Sequence, residues 1–351
     1  MAWNPFDTTT GAFNLIELTD AINRRKHRIG QVGSLNLVQS KGVSTLKVAV
    51  EQMTEGNLGL LTPIERGAPA PQITKDKRTM IDLASVRIAA EDTINADELQ
   101  GVRLFGSETQ ARMLAEARNE SLDKITARID ATIEHHLLGM IQGIIKNPAG
   151  STILNCYTAF GQSQAGEVNL ELDEASDDTK TIKAVQGIVR ATWDALGELG
   201  QFGLDHIHCF TDSTGFDNLV ASLAFRNSYK FDSVSSMLRD STFGRAISWQ
   251  GVTWEEYRLG NSGYSGGSFI GTGKFKFFPV FQNPSDGIYR VRYVPSDGLK
   301  DVNEVGLPRY VKVKEDREYT GDPRWIGIMG ESNPLVYCTH PAALQRGDDG
   351  I

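Results

Sequence analysis

Residues 107–146 have the sequence SETQARMLAEARNESLDKITARIDATIEHHLLGMIQGIIK, which predicts one unbroken helix. Its apolar residues recur every three or four positions, as on the buried face of an amphipathic helix. This stripe consists of Leu114, Ala117, Leu122, Ile125, Ile129, Ile133, Leu137, Met140 and Ile144. Ser107 with Gln110 has the spacing of a capping box, and Asn147-Pro148 is a stop signal. At about 1.5 Å per residue such a helix spans roughly 60 Å, longer than a small domain is wide. The alternative is an ordinary core helix of a large domain.

The composition predicts a globular protein of two or three domains. The chain has 351 residues, of which 40% are apolar and 23% charged. No apolar run reaches the length of a membrane span, and the first residues lack the pattern of a secretory signal, so we expect neither. Cys156, Cys209 and Cys338 are an odd number without a CxxC pair, which favours buried thiols in a reducing compartment.

The net charge of −8 argues against a protein whose main task is to grip nucleic acid by its phosphates. It is compatible with a container for nucleic acid, because an acidic wall repels a polyanion. The one basic cluster, residues 24–28, is best interpreted as the solvated end of an amphipathic helix over residues 15–28. Contact with DNA or with an acidic partner is the alternative.

The first hundred residues predict extended structure without enough large apolar residues for a core. Residues 1–33 have the pattern of an arm, and residues 34–104 are β-rich with a hairpin turn at residues 54–56. The predicted strands are Val43–Met53, Asn57–Arg66 and Thr79–Ala90. Because a sheet of so few strands is only marginally stable by itself, a flap that depends on a partner is the natural interpretation.

The remaining chain predicts a compact α/β unit at residues 181–285 and a β-rich segment with a polar tail after it. The predicted helices there are Thr181–Leu199, Ser213–Ala224 and Ser233–Thr242. After the long helix, Thr152–Phe160 and His206–Thr211 are predicted strands, Ala246–Leu259 is strand-rich, and Ser268–Val280 is predicted as a strand pair or one long strand.

Four motifs suggest chemistry, and each is better explained structurally. Residues 263–267 match the GxSxG elbow of serine hydrolases around Ser265, but the elbow needs a strand before it and a helix after it, and here a strand follows. Residues 271–274 hint at a phosphate-binding loop, but Ser268 and Phe275 occupy positions that require Gly and Ser or Thr. The pairs His135-His136 and His206/His208 lack the geometry or the third ligand of a metal site. We therefore predict no catalytic, cofactor or metal site.

Several short stretches carry a resemblance to a known family, as does the order of arm, β-rich flap, long helix, α/β unit and final β-rich segment. They are Ala49–Gly56, Ile64–Gly67, Asp92–Arg103 and Gly244–Gly251, and the most specific are Pro308-Arg309-Tyr310, Thr320–Pro323 and Ser332–Leu335. Together they resemble the Johnson fold of tailed-phage major capsid proteins, and within it the lambda-type major capsid protein E family.

The resemblance implies an α+β fold with five parts. These are an N-terminal arm (1–33), an extended β loop (34–104), a peripheral domain (105–180) with the spine helix 107–146, an α/β axial domain (181–285), and a closing β segment of the peripheral domain with the C-terminal tail (286–351). The loop would lie over a neighbouring subunit, which would supply the missing core. Its charged residues Arg66, Lys75, Lys77 and Arg78 are candidates for ion pairs between subunits, with solvated side chains as the alternative.

The function that the resemblance implies is that of a major capsid protein without enzymatic activity. Copies would form the hexamers and pentamers of an icosahedral shell around double-stranded phage DNA, bound without sequence specificity, and would assemble in the host bacterial cytoplasm. Scaffold and portal proteins are expected partners, a decoration protein is a further candidate, and we expect no membrane contact and no covalent crosslink. The alternatives are an encapsulin-type compartment shell and a serine hydrolase that uses Ser265.

Overall fold

The computed structural model combines helices and strands in an α+β architecture. It describes residues 19, 22–23, 30–54, 77–97, 110–174, 178–197, 200, 203–229, 246–258, 269–301, 304–315 and 324–350, with the backbone alone at 51–54, 77–79 and 110–115. Within these ranges the helices are α1 (Gln31–Ser34), α2 (Gln110–Ile141), α3 (Cys156–Ala159), α4 (Asp178–Leu196), α5 (Ser213–Ala221) and α6 (Leu223–Tyr229). Short 3₁₀ turns occur at Leu299–Asp301 and Pro341–Ala343.

The strands of the described residues form five sheets. They are β1 (Gln39–Gly42), β2 (Lys47–Thr54), β3 (Lys77–Ala84), β4 (Ile88–Asn95), β5 (Ile144–Lys146), β6 (Thr152–Asn155), β7 (Glu167–Asn169), β8 (Leu204–Thr211), β9 (Ile247–Trp249), β10 (Val252–Glu256), β11 (Lys274–Phe281), β12 (Tyr289–Tyr293), β13 (Tyr310–Glu315), β14 (Trp325–Ser332), β15 (Pro334–Cys338) and β16 (Gln345–Asp348). The sheet orders are β7-β16-β11-β8-β10-β9, β1-β12-β15, β13-β14-β4, β2-β3 and β5-β6.

The long helix exists, but its predicted C-terminal end is wrong. Helix α2 ends at Ile141 after 32 described residues, about 48 Å, instead of continuing to residue 146. Gly143 turns the chain with φ +76°, a conformation that favours glycine, and Ile144 begins β5, which pairs with β6. The predicted start at Ser107 lies outside the described residues. The predicted apolar stripe is buried from Leu122 to Met140, and Ile144 is half-buried.

The six-stranded sheet has a separate apolar layer on each face. On one face Cys209, Trp254 and Phe277 pack with residues of α4, α5 and α6. On the other face Phe210 and Phe278 join the core that contains the buried stripe of α2. The sheet therefore stands between the three shorter helices and the long helix.

Three sequence expectations for the strands need correction. Residues 79–90 do not form one strand, because the chain leaves β3 at Ala84 and enters a different sheet as β4 at Ile88. The expected polar tail contains β16, which pairs with β7 and β11 in the six-stranded sheet because Gly347 packs against Val168 and Phe277. Residues 152–160 are strand only to Asn155, whose side chain then caps α3.

Smaller differences concern element ends in the α/β unit. The expected helix 181–199 is shifted to Asp178–Leu196, and the expected helix 213–224 divides into α5 and α6 at Ser222. The expected strand at 268–280 begins only at Lys274. The expected helix 233–242 is not among the residues described.

Candidate functional site at the base of the extended ribbon

A two-stranded ribbon leaves the body of the molecule with no further strand along either edge among the described residues. It consists of β2 and β3, paired antiparallel from Lys47 opposite Ala84 to Thr54 opposite Lys77. The expected hairpin partner of β2, residues 57–66, lies outside the described residues, and β3 takes the pairing instead. An isolated two-stranded ribbon is marginally stable in water, and unpaired edges offer hydrogen-bonding groups to another chain.

Both strands of the ribbon are held where they meet the body. The Val43 N–H donates to the Tyr293 carbonyl (2.9 Å) just before β2, and the Val86 N–H donates to the Pro334 carbonyl (3.4 Å) just after β3. Tyr293 and Pro334 are themselves opposite each other in β12 and β15. The pair Tyr293 and Pro334 of the body therefore anchors both strands of the ribbon at its base.

The ribbon has one face that packs and one face that is exposed. Val48, Val50, Ile81 and Leu83 alternate along the two strands and contact the large core, with Leu83 fully buried. On the opposite face Met80 is 68% exposed, and Leu46 beside the ribbon is 72% exposed. Val305, Leu307 and Leu299 add exposed apolar surface on the loop that contacts Val43 through Gly306.

A cluster of charged residues, here called the base cluster, lies beside the end of β3. It consists of Arg87, Asp297, Lys312 and Glu331. The buried Glu331 carboxylate accepts hydrogen bonds from Arg87 Nη2 (2.9 Å) and Lys312 Nζ (2.9 Å). Asp297 pairs with both cations from the solvent side, so two carboxylates balance two cations.

Hydrogen bonding holds Glu331 in its charged form. Burial alone raises the pKa of this carboxyl, but hydrogen bonds from Arg87, Lys312 and Asn333 outweigh that effect and lower the pKa to about 2. Ser296 Oγ donates a further bond at 3.2 Å. Because Arg87 directly precedes β4, the cluster ties the chain that leaves the ribbon to β13 and β14.

The spine helix α2 holds the N-terminal arm through two buried carboxylates one turn apart. Asp130 pairs with the buried Arg309, whose Nη1 donates to the Ile22 carbonyl at 3.2 Å. Glu134 accepts the N–H groups of Val32 (2.7 Å) and Gly33 (3.2 Å) at the start of α1. The part of the arm that the structure describes is therefore fixed to its own subunit.

The four predicted inter-subunit cations cannot be assigned contacts. Arg66 and Lys75 lie outside the described residues, and Lys77 and Arg78 are described by backbone alone, at the far end of β3 opposite Thr54 and Met53. Their role as ion-pair partners stays a prediction. Ser265 of the GxSxG motif is likewise not among the described residues.

The other sequence motifs are structural where they are described. Gly273 has φ +67° in the turn before β11, and its N–H donates to Asp212 (2.9 Å) rather than facing an open loop. His208 Nε2 contacts Glu255 (3.1 Å), and burial lowers the pKa of His208, so the ring is neutral at pH 7. Across the described ranges, no three His, Cys, Asp or Glu side chains are grouped as metal ligands, and no helix is long and apolar enough to cross a membrane. The three cysteines are buried free thiols, as predicted.

The fold combines a long helix, a six-stranded sheet with an apolar layer on each face, and a two-stranded ribbon that exposes Met80. These features are those of a protein that self-assembles with further copies of itself. The model of the family described as phage major capsid protein E matches residues 14–348, and the chain belongs to this family. It forms the shell of a phage virion as a major capsid protein.

Individual relatives agree with this assignment. The chain is 22% identical over 370 residues to the major capsid protein of Salmonella phage Felix O1 (isolate Felix O1-VT1), covering 95% of both chains. The capsid of cyanophage Pam1 matches with a TM-score of 0.53 at 11% identity, over 93% of this chain and 94% of the other. A structure from Gordonia phage Cozz matches with a TM-score of 0.52 at 10% identity, over 93% and 89%. The implied capsid fold is confirmed, and the compartment-shell and hydrolase alternatives are not favoured.

Sequence reasoning missed the base cluster and the carboxylates on α2, although it predicted the helix that carries Asp130 and Glu134 and singled out segments next to Lys312 and Glu331. Ser332 Oγ donates to the Pro308 carbonyl (2.7 Å), so two of the most specific motifs contact each other. Asn333 Nδ2 donates to Glu331 at 3.0 Å. An acidic residue directly before Ser-Asn-Pro was the available signal, but its partners are far away in sequence.

Proposed function

We propose that copies of this chain assemble as hexamers and pentamers into an icosahedral shell, with each ribbon lying over a neighbouring subunit. The observation that carries this proposal is the ribbon itself. It has eight residue pairs, no third strand among the described residues, and an outer face that leaves Met80 68% exposed. A neighbouring copy that covers this face supplies the stabilisation that a two-stranded ribbon lacks.

The rigid base supports the same proposal. The Val43 and Val86 hydrogen bonds and the base cluster fix where the ribbon leaves the body, so its direction is set before assembly. A preorganised ribbon loses less conformational entropy on association than a mobile one. Many weak contacts of this kind, repeated around a closed shell, give high overall stability.

The four cations Arg66, Lys75, Lys77 and Arg78 are proposed to select the contact. They lie within thirteen residues of a chain whose net charge is −8. Paired with carboxylates of a neighbour, they would set register rather than supply most of the binding energy. Replacing Lys75 and Arg78 together by glutamate should abolish particles while the subunit keeps its circular dichroism spectrum.

The shell is proposed to enclose double-stranded DNA without sequence specificity. The net charge of −8 supports this, because it favours a container over a tight phosphate binder. Assembly would take place in the host bacterial cytoplasm with scaffold and portal proteins, and a decoration protein is a further candidate partner. The shell would hold by non-covalent contacts alone, and the chain would have no enzymatic activity.

A ribbon truncation tests the proposal. Thr54 is opposite Lys77, so replacing residues 55–76 by Asn-Gly closes the hairpin with a two-residue turn and keeps its register. Co-expressed with its scaffold, the intact chain should give closed particles in negative-stain microscopy, and extracted particles should contain double-stranded DNA. The truncated chain should give folded subunits without particles. Because this variant keeps β2, β3 and Met80, closed particles from it would contradict a role of residues 55–76, which include Arg66 and Lys75, in the contact between subunits.

A further inference from the structure

A pocket of about 290 Å³ lies between the C-terminal part of α2 and strands β11 and β16. Its polar lining comes from four parts of the chain and includes His135, Gln142, Lys146, Gln164, Lys276 and Arg346. The volume is near the lower end of the range for small-ligand sites. Capsid assembly as described above gives this pocket no role.

The pocket concentrates positive charge without a carboxylate of its own. Lys276 and Arg346 are direct cross-strand partners in the β11–β16 ladder, so their side chains share one face of the sheet. Like charges directly opposite each other destabilise a sheet. Lys146 adds a third cation, and none of the described lining residues is acidic.

Two carboxylates flank this pair of cations, and both interact with Lys274. Glu167 accepts from Lys274 Nζ at 3.1 Å, and Asp348 lies 3.7 Å from the same nitrogen. Lys274 is directly opposite Asp348, whereas Lys276 is opposite Arg346, which has Glu167 opposite it on the other side. Lys274, Lys276 and Arg346 therefore share two carboxylates, and Lys146 adds a further positive charge at the pocket.

The electrostatics of the lining groups agree with this interpretation. Burial lowers the pKa of Lys276; the charge of Glu167 opposes this effect, and the charges of Arg346 and Lys274 add to it, so the net shift is downward. Arg346 Nε donates to the Ala165 carbonyl at 2.8 Å, which fixes the plane of its guanidinium group. The buried Nδ1 of His135 has no hydrogen-bond partner among the described residues.

We propose that this cationic pocket binds a phosphate group, held by Arg346, Lys276 and Lys146. A phosphate carries nearly two negative charges, and its oxygens match the fork of an arginine and the donors of two lysines. A bound phosphate relieves the repulsion between Lys276 and Arg346. The group belongs either to a small phosphate compound, with nearly two negative charges, or to a nucleic-acid backbone, whose phosphodiester carries one; both present the same kind of acceptor oxygen to these cations.

Calorimetric titration of full-length subunits with inorganic phosphate, at ionic strength held constant with potassium chloride, tests the site. Lys276→Met removes the charge but keeps the apolar stem, and we expect it to weaken phosphate binding at least tenfold. Lys274→Met is the matched control, because this neighbouring lysine has its own carboxylates, and it should bind within about twofold of the unmodified chain.

Thermal unfolding gives a second readout that does not depend on heats of binding. Phosphate should raise the unfolding midpoint of the unmodified chain and of Lys274→Met, but not that of Lys276→Met. Equal phosphate responses in all three proteins, or no response in the unmodified chain, would overturn the proposal. A single-stranded oligonucleotide that competes with phosphate identifies the backbone as a source, and one that does not compete restricts the site to small phosphates.

Discussion

Replacing Glu331 by glutamine tests how strongly the base cluster stabilises the subunit. The substitution preserves the size of the side chain but removes the charge that faces Arg87 and Lys312. The pKa of Glu331 is about 2 in the folded chain, against an ordinary value of 4.5. A difference of one pKa unit between the folded and unfolded states corresponds to about 1.4 kcal/mol of stability. This gives about 3 kcal/mol at pH 7. We expect roughly 2–3 kcal/mol, because Arg87 is half exposed and its interaction is screened by solvent.

The pH dependence distinguishes this electrostatic effect from a simple loss of packing. Because the folded-state pKa is depressed, the contribution is fully present above pH 4.5 and is lost as the pH falls toward 2. In urea unfolding of free subunits, the difference in unfolding free energy between the unmodified chain and Glu331→Gln should be about 2 kcal/mol smaller at pH 3 than at pH 7. Glu91→Gln, which removes an exposed ion pair with Lys314 in the same sheet, should cost less than about 1 kcal/mol. An equal difference at both pH values would refute the reasoning.

Three further predictions concern the spine helix, the turn after it and the ribbon. Asp130→Asn leaves the buried Arg309 without its counter-charge and should lower the unfolding free energy by about 3–5 kcal/mol, measured by urea unfolding; a loss below about 1 kcal/mol would contradict this. Gly143→Ala places a β-carbon at φ +76° against the ring of Tyr157, so it should cost at least about 1 kcal/mol more than Gly150→Ala, which has similar φ but open space; equal thermal shifts would oppose it. Met80→Lys, which places a cation opposite Glu51 in the ribbon, should leave subunit unfolding within about 0.5 kcal/mol of the unmodified chain but abolish particles in sedimentation analysis, and normal particle yields would count against the ribbon contact.

The long helix was predictable because its signal is local. A three-to-four spacing of apolar residues needs no knowledge of distant partners, and the stripe from Leu122 to Met140 is buried. The end was not predictable in the same way, because Ile144 and Ile145 continue the apolar pattern while Gly143 permits a turn that the pattern does not contain. The residues Ile144–Lys146 could continue the helix or form a strand, and only their pairing with β6 decides for the strand.

The ribbon and the base cluster depend on partners far away in sequence. An alternating pattern in residues 47–54 predicts a strand, but it does not identify residues 77–84 as the partner. The hairpin turn at residues 54–56 favours the nearer residues 57–66 instead. Glu331 meets Arg87 across 244 residues, and only the alignment of β4, β13 and β14 brings the two together. The family resemblance implies that this loop lies over a neighbouring subunit, and that placement stays a prediction.

A cryo-electron microscopy reconstruction of closed particles assembled from the full-length chain tests the central claim most directly. The account predicts that the ribbon, residues 47–54 and 77–84, lies across a neighbouring subunit and that Met80, 68% exposed in the single subunit, is buried there. The base cluster should keep the contacts it has in the single subunit, because it fixes the ribbon before assembly. A reconstruction in which no neighbouring subunit contacts the ribbon, or in which Met80 remains exposed to solvent, would contradict the account.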